Sequence, residues 1–216
     1  MAEPSYIAIE GVIGVGKTSL TRILAERLKS RLLLERHDEN PFLAEFYKDR
    51  ARYAFQTQMF FLFSRYEQQK ELRQRDLFEQ RVVADYLFQK DRIFASINLS
   101  DKELHLYELI VGAIEPDVPK PDVVVYLQAP TETLMKRVQK RGRAYESQMD
   151  FDYLEQLNEA YNYFFFHYDQ APLLVVNTRD IDFVENEQDQ GDLVRRILEH
   201  REGVAYYAPL GHGERA

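Results

Sequence analysis

Short apolar runs alternate along the chain with longer segments of helical period. The apolar runs cover residues 6–10, 32–35, 81–85, 122–127 and 172–177, and their length suits the strands of a buried parallel sheet. Between them, apolar residues recur three or four positions apart after residue 19, from 51 onward, and over 91–98, 101–115, 131–141, 151–168 and 192–200. This alternation predicts an α/β fold with a five-stranded, doubly wound parallel sheet flanked by helices.

The predicted domain takes up residues 1–203. Residues 204–216 show no period that predicts an element, and we interpret them as a C-terminal tail, for which disorder is one interpretation.

The first predicted strand runs directly into a glycine-rich segment and then into a helix. The segment follows the pattern G-x-x-x-x-G-K-[ST], and strand, loop and helix stand in the order that a P-loop requires. Backbone N–H groups and the helix N-terminus would bind phosphate oxygens there, while the lysine and threonine would reach the terminal phosphates and Mg²⁺. The residues assigned to this site are Gly11, Gly14, Val15, Gly16, Lys17, Thr18 and Ser19.

Two carboxylates follow predicted strands and are candidates for chemistry. Glu35 ends the second strand and Asp85 the third, and ligands of parallel α/β sheets bind at the carboxyl ends of strands. Transfer of a phosphoryl group to a hydroxyl needs a base beside the acceptor oxygen. Either residue suits that role, and a purely structural carboxylate is the alternative interpretation. Glu10, before the loop, is ambiguous.

Three arginines cluster at the end of the helix that starts at residue 131. Arg137 and Arg141 share a helix face, and Gly142 is placed to end the helix and turn Arg143 toward the same centre. Guanidinium groups around a γ-phosphate would offset the charge that develops during transfer, which predicts an arginine-rich lid. In the alternative interpretation, these arginines form a solvated basic last turn that complements the helix dipole.

The long helix carries a candidate for nucleobase recognition. Gln58 and Arg65 are seven residues apart and return to one face, and a glutamine amide offers a donor and an acceptor together. Phe55, Phe61 and Phe88 are candidates to stack on a base, although most aromatic residues of a domain this size belong to the core.

Composition narrows the classes of function. A net charge of −8 and a pI near 5.2 argue against nucleic-acid binding. Cysteine is absent, which excludes thiolate metal sites and fits a reducing compartment. No apolar run approaches a membrane span and the N-terminus lacks the features of a secretion signal, so we expect a cytoplasmic protein without membrane contacts.

These motifs together resemble the deoxynucleoside kinase family, from residue 6 to about residue 201, and most closely its bacterial purine branch. The P-loop and the segment Asn40-Pro41-Phe42-Leu43 after Glu35 are similar to the family's own. The resemblance implies the roles that follow for individual positions.

For catalysis, the resemblance implies that Glu35 lies near the acceptor 5′-hydroxyl and that Asp85 is the general base. The two residues after Asp85 depart from the family's pattern. Tyr86-Leu87 stands where the family usually has Arg-Ser. Arg137, Arg141 and Arg143 match lid arginines. Further positions implied to bind substrate or ATP are Tyr47 and Glu146 for the 3′-hydroxyl, Gln58, Arg65, Phe88 and Asp91 for the base, and Asp182 with Phe183 for the donor adenine.

The resemblance implies an ATP-dependent enzyme of nucleotide salvage that phosphorylates the 5′-hydroxyl of a deoxyribonucleoside, with purines favoured. Mg²⁺ would bind with help from Thr18 and Asp85, and a homodimer is expected. Two alternatives are a thymidylate-type nucleoside monophosphate kinase and a nucleotide-dependent switch. The first needs a second phosphate-binding set, and the second should show a guanine-reading Asn-Lys-x-Asp, which the chain lacks.

Overall fold

The computed structural model describes residues 3–74, 81–179 and 181–208, in which helices alternate with parallel strands. The elements are β1 (Tyr6–Gly11), α1 (Lys17–Arg27), β2 (Arg31–Leu33), α2 (Leu43–Lys48), α3 (Arg50–Gln74), β3 (Val82–Ala84), α4 (Asp91–Asn98), α5 (Asp101–Ile114), β4 (Val123–Gln128), α6 (Thr131–Arg141), α7 (Phe151–Phe166), β5 (Leu173–Asn177), α8 (Glu187–Glu199) and β6 (Val204–Tyr207). Among the described residues, no helix combines the length and the apolar character that a membrane span requires.

The strands form one parallel sheet in the order β2-β3-β1-β4-β5-β6. Strand β1 lies between β3 and β4, and helices cover both faces, so Ile7, Ile9 and Val125 are fully buried. Central strands that are apolar on both faces are typical of this arrangement. The carboxyl ends of β1, β2 and β3 therefore meet at one edge, where parallel sheets bind ligands.

All five predicted strands are confirmed, with ends shifted by a residue or two, but the predicted strand number is wrong. Residues 204–207, assigned from sequence to the tail, form a sixth strand paired with β5. Strand β6 is a short edge strand, and both Val204 and Tyr206 are exposed. A half-exposed strand beside glycines carries a weak apolar pattern. Residues 209–216 lie outside the described residues.

Two helices begin earlier than their apolar pattern predicts. Helix α1 starts at Lys17, because the P-loop passes directly into it. Helix α8 starts at Glu187 and not near residue 192, since the Asn186 side chain caps it by accepting from the N–H groups of Gln188 and Asp189. Its first turn is polar, and periodicity alone does not detect such a turn.

Gly11 occupies a backbone position that excludes larger residues. Its φ is +148°, and an added Cβ would lie 2.4 Å from the carbonyl oxygen of Leu127 and 2.8 Å from Cγ1 of Val15. We therefore predict that Gly11→Ala lowers the free energy of unfolding by about 1–3 kcal/mol, measured by urea denaturation.

Gly112→Ala is the matched control for this substitution. Gly112 lies in α5, and a Cβ there meets no described atom within 4 Å. Alanine should be neutral or stabilise that helix by up to about 1 kcal/mol. Equal urea midpoints for the two variants would contradict the close approach at Gly11.

Candidate active site

A cavity of about 1030 Å³ lies where the carboxyl ends of β1, β2 and β3 meet. Its wall includes residues that follow each of these strands: the P-loop after β1, Glu35 after β2 and Asp85 after β3. Helix α3, the end of α6 and the loop before α8 complete it. The cavity therefore collects side chains that are far apart in sequence.

The P-loop has the backbone geometry of a phosphate site. Gly14 and Gly16 have φ values of +88° and +107°, in the left-handed region that glycine tolerates. Gly16 is the N-cap of α1 and has no side chain to cap the helix, so the first-turn N–H groups stay available to a ligand. An anion at this position would also meet the positive end of the helix dipole. Val15 and Ser19 belong to the cavity wall as well.

Lys17 is folded back onto the loop. Its Nζ donates to the carbonyl oxygens of Gly11 at 2.5 Å and Val12 at 3.2 Å. Burial lowers the pKa of Lys17 to about 8, although the carboxylates of Glu10, Glu35 and Asp85 act in the opposite direction. The protonated form still prevails at neutral pH, and a triphosphate would favour it further.

Thr18 and Asp85 form an oxygen-rich pair beside the P-loop. The Thr18 hydroxyl donates to Oδ2 of Asp85 at 2.8 Å, and the backbone N–H of Glu35 donates to Oδ1 at 2.7 Å. Asp85 is 5% exposed. A hydroxyl and a carboxylate are hard oxygen ligands of the kind that Mg²⁺ prefers. Within the described ranges, no group of three or more acidic, histidine or cysteine side chains forms a metal cage.

Glu35 is held by two cations, one on each carboxylate oxygen. Arg65 donates to Oε1 through Nε at 2.7 Å, and Lys90 donates to Oε2 at 2.8 Å. Burial by itself raises the pKa of Glu35, but the charges of Arg65 and Lys90 outweigh it and hold that pKa well below its ordinary value. Glu35 is therefore ionised at neutral pH.

The three lid arginines all contribute to the cavity wall. Gly142 ends α6 in a left-handed conformation with φ of +66°, which confirms the predicted break. Arg137 donates to the carbonyl oxygens of Val15 and Thr178, and Arg141 donates to both oxygens of Glu146 at 2.6 and 2.7 Å. Burial lowers the pKa of Arg137, which nevertheless stays a cation.

Arg143, beyond Gly142, donates to the hydroxyl of Tyr145 at 2.9 Å. The Tyr145 ring stacks on Tyr47 with centroids 6.1 Å apart. Burial, with the negative charge of Glu146 nearby, raises the pKa of Tyr47 well above its usual value, so its hydroxyl keeps its proton. The lid thus contacts the predicted sugar end of the cavity.

Gln58 and Arg65 lie on one wall of the cavity, on the same face of α3 as predicted. Nε2 of Gln58 donates to the carbonyl oxygen of Asp91 at 2.7 Å, which fixes the amide and leaves its oxygen free to accept. The Arg65 guanidinium lies 5.0 Å from the centroid of Phe61 and pairs with the Asp91 carboxylate.

The loop before α8 closes the other end of the cavity. The Phe183 ring lies beside Gly16, where an added Cβ would come within 3.0 Å of it. Oδ1 of Asp182 accepts from the N–H groups of Val184 and Glu185 at 3.1 and 3.0 Å. Asp182 thereby stabilises the loop conformation, and both Asp182 and Phe183 line the cavity.

Comparison with protein families decides the class of this site. Residues 7–201 match the model of the deoxynucleoside kinase family. The chain belongs to this family. This kinase is therefore an enzyme of deoxynucleoside phosphorylation. The family assignment favours this function over the monophosphate-kinase and switch alternatives.

Individual relatives agree with the family assignment. The kinase is 39% identical over 199 residues to the deoxyguanosine kinase of Bacillus subtilis, covering 90% of this chain and 96% of the relative. It is 31% identical over 203 residues to the deoxyadenosine/deoxycytidine kinase of the same organism, covering 89% and 91% of the two chains.

A solved structure is similar as well. The deoxyadenosine kinase of M. mycoides with bound dATP matches this kinase with a TM-score of 0.78 at 26% identity, covering 89% of this chain and 98% of the other.

Phe88 and Asp91 remain predicted base-binding residues, and both side chains are buried. Both are described residues outside the cavity wall. Phe88 is 2% exposed in the core, and Asp91 is 1% exposed behind its pairing with Arg65. Phe88 starts a short 3-10 helix, residues 88–90, in which side chains two positions apart point about 120° away from each other. Consequently Lys90 and not Phe88 lines the cavity, while Phe61 is the phenylalanine on the α3 wall.

Sequence reasoning missed Lys90 and Tyr145, because neither stands in a motif. Lys90 follows β3 by six residues, and only the sheet order brings it to Glu35. Tyr86, at the position of the family's arginine, is fully buried and accepts a hydrogen bond from Gln69. Tyr86 packs with Leu33 and Leu72, so its side chain belongs to the protein interior.

Proposed function

We propose that this kinase transfers the γ-phosphoryl group of ATP to the 5′-hydroxyl of a purine deoxynucleoside. The observation that carries the proposal is the continuous cavity of about 1030 Å³, whose wall contains the P-loop together with Glu35, Tyr47 and Gln58. Ligand sites usually measure about 300–1000 Å³, so this one is large enough for two substrates. A shared cavity allows the two reacting groups to meet without solvent between them.

On the donor side, the P-loop N–H groups would bind the phosphates. Lys17 would leave the carbonyl oxygens of Gly11 and Val12 and pair with the β- and γ-phosphates. Arg141 and Arg143, 36% and 32% exposed at the cavity, would then offset the charge on the transferred group. The loop at Asp182 and Phe183 would enclose the adenine.

Thr18 and Asp85 suit a magnesium ion that binds together with the triphosphate. The Thr18 hydroxyl oxygen and Oδ2 of Asp85 lie 2.8 Å apart. Mg²⁺ in kinases is held by one or two protein oxygens plus substrate phosphates, and it bridges the β- and γ-oxygens and neutralises their charge. The contacts of Asp85 thus favour a metal role for this residue.

Glu35 is then the better candidate to accept the proton of the 5′-hydroxyl. Asp85 is held beside the P-loop by the Thr18 hydroxyl and has the metal role proposed above, which leaves Glu35 as the other carboxylate of the pair. Glu35 lines the cavity, is ionised, and is fixed by Arg65 and Lys90. In phosphoryl transfer, orienting the nucleophile contributes more than base strength, so a carboxylate with a low pKa is compatible with this role.

The sugar and base would be read by groups around the lid. The Tyr47 hydroxyl would donate to the 3′-oxygen with Glu146 beside it, and the Tyr47 ring would pack near C2′ and disfavour ribose. The free oxygen of Gln58 and its second N–H would pair with a purine edge, with Phe61 stacking on the base.

A substrate panel tests the proposed specificity. We expect ATP-dependent formation of 5′-monophosphates from deoxyguanosine or deoxyadenosine with a kcat/KM at least about tenfold above that for thymidine, because similar proteins are named deoxyguanosine and deoxyadenosine kinases. Products are identified by chromatography and mass spectrometry, with ribonucleosides and deoxynucleoside monophosphates as competing acceptors. Preference for thymidine, or for a monophosphate, would contradict the assignment.

The kinase is also proposed to form a homodimer through helix α7. Two large aromatic residues on this helix, Tyr163 and Phe166, are 72% and 79% exposed, next to a groove that α4 and α7 line together. Burying such residues is favourable, and their exposure on a monomer is unusual. Sedimentation velocity should give a dimer that Phe166→Glu dissociates.

Tyr206→Glu, on strand β6 with a 73% exposed side chain, is the control for dimer dissociation. This variant should stay dimeric, and a monomeric wild type at micromolar concentration would rule out the dimer.

Cytoplasmic localisation is also proposed. The absence of cysteine supports it, and cell fractionation tests it.

A further inference from the structure

The ammonium group of Lys90 is buried in the cavity wall. The residue is 2% exposed, although lysine is almost never this buried without a paired charge. Removing an ammonium ion from water carries a large free-energy cost even after the protein relaxes. A lysine at this position therefore needs strong compensating interactions.

Those interactions come from two carboxylates, one on β1 and the other just after the end of β2. Nζ of Lys90 lies 2.8 Å from Oε2 of Glu35 and 3.5 Å from Oε1 of Glu10. Glu10 is fully buried and also accepts from the backbone N–H groups of Gly11 at 2.7 Å and Leu87 at 3.1 Å. Glu10 is thus anchored by the backbone, and it holds Lys90 in turn.

The ion pairs continue through Glu35 into helix α3. Arg65 binds Oε1 of Glu35 and pairs with Asp91 on its other side. The result is a line of alternating charges: Asp91, Arg65, Glu35, Lys90 and Glu10. Glu35 is the member in the middle, and it lines the cavity. Each of its two oxygens has its own cation, so rotation of the carboxylate would break a charge-assisted hydrogen bond.

We propose that Lys90 is a positioning residue for phosphoryl transfer: through its contact with Oε2 it holds the Glu35 carboxylate in the orientation that receives the 5′-hydroxyl. Arg65 alone fixes one oxygen and leaves the group free to turn about that contact. Small displacements matter here, because a misplacement of about 1 Å can reduce a rate by about 10²-fold. The role of Lys90 rests on the role of Glu35 proposed above.

A double-mutant cycle tests this inference. The variants are Lys90→Met, Glu35→Gln and their combination, with Lys90→Arg as the conservative change. Lys102→Met, on the exposed face of α5, is the control for loss of a lysine. Steady-state kinetics with varied deoxynucleoside and varied ATP separate kcat from each KM, and thermal melting checks that each variant is folded.

We expect Lys90→Met to lower kcat by about 10²-fold with the KM for ATP within about twofold of wild type. In the Glu35→Gln background the same substitution should cost less than about threefold, because the group it positions is already lost. Lys90→Arg should recover about tenfold of the loss by restoring a cation. If Lys90→Met does not fold, the cycle is run with Lys90→Arg. The partial loss of kcat in Lys90→Arg must then disappear when Glu35→Gln is also present.

Two results would overturn the role of Lys90. If the fold-losses in kcat of Lys90→Met and Glu35→Gln multiply in the double variant, Lys90 acts independently of Glu35. If Lys90→Met has wild-type kinetics, Lys90 has no role in the reaction. Either result leaves the Glu35 assignment intact if Glu35→Gln is itself impaired. A Glu35→Gln enzyme with wild-type kcat would remove both assignments.

Discussion

Glu35→Gln is expected to reduce kcat by about 10²–10⁴-fold, the range that a positioned proton acceptor contributes. The substitution keeps the shape of the side chain and removes its charge, so Arg65 and Lys90 each lose one of their two carboxylate partners and the 5′-hydroxyl loses its acceptor. The KM for ATP should change little, because the P-loop and the lid are unaltered. Steady-state kinetics at saturating ATP measure the effect directly.

The control for this prediction is Glu39→Gln, an exposed glutamate four positions away. It should behave as wild type. Isothermal titration with the deoxynucleoside should still detect binding by Glu35→Gln, since Gln58 and Tyr47 are unaffected. A Glu35→Gln kcat within about threefold of wild type would show that orienting the hydroxyl does not depend on this carboxylate.

Asp85→Asn is expected to lower kcat by about 10²-fold or more while preserving deoxynucleoside binding. Asparagine can still accept a hydrogen bond from the Thr18 hydroxyl, which now donates to Asp85 at 2.8 Å, but a neutral amide is a weaker magnesium ligand. The Mg²⁺ concentration for half-maximal rate should therefore rise, and excess Mg²⁺ or Mn²⁺ should restore part of the activity. Titrating the metal at fixed ATP measures this shift.

The metal titration also separates the two assignments of Asp85. From sequence, Asp85 is expected to be the general base, and in that case no concentration of metal would restore the rate of Asp85→Asn. Glu35→Gln provides the comparison, because its metal dependence should match that of wild type. A metal-independent loss in Asp85→Asn would return the role of proton acceptor to Asp85.

Much of the fold was predictable because its information is local. The five predicted strands are short apolar runs whose environment is the same on both faces, and Gly142 ends α6 as its position predicts. Strand β6 and the first turn of α8 were missed for the opposite reason. One is half exposed and the other polar, so neither carries an apolar period.

In the active site as well, the features that depend on residues close in the chain were predictable and the others were not. The P-loop could be recognised by itself, since strand, loop and helix are contiguous and the required φ values belong to glycines within eight residues of one another. Gln58 and Arg65 were placed together because they share one helix. Phe88 and Lys90 were not distinguished, because their directions depend on a short 3-10 helix that no pattern predicts.

The amino-acid sequence alone thus determined the phosphate loop, the parallel sheet and the candidate carboxylates, all of which depend on residues near one another in the chain. The strand order β2-β3-β1 was needed to bring Glu35, Asp85 and Lys90 to one edge. Long-range polar contacts of this kind arise from backbone placement across strands. Their partners lie 50 or 55 residues apart and carry no mutual spacing in the sequence.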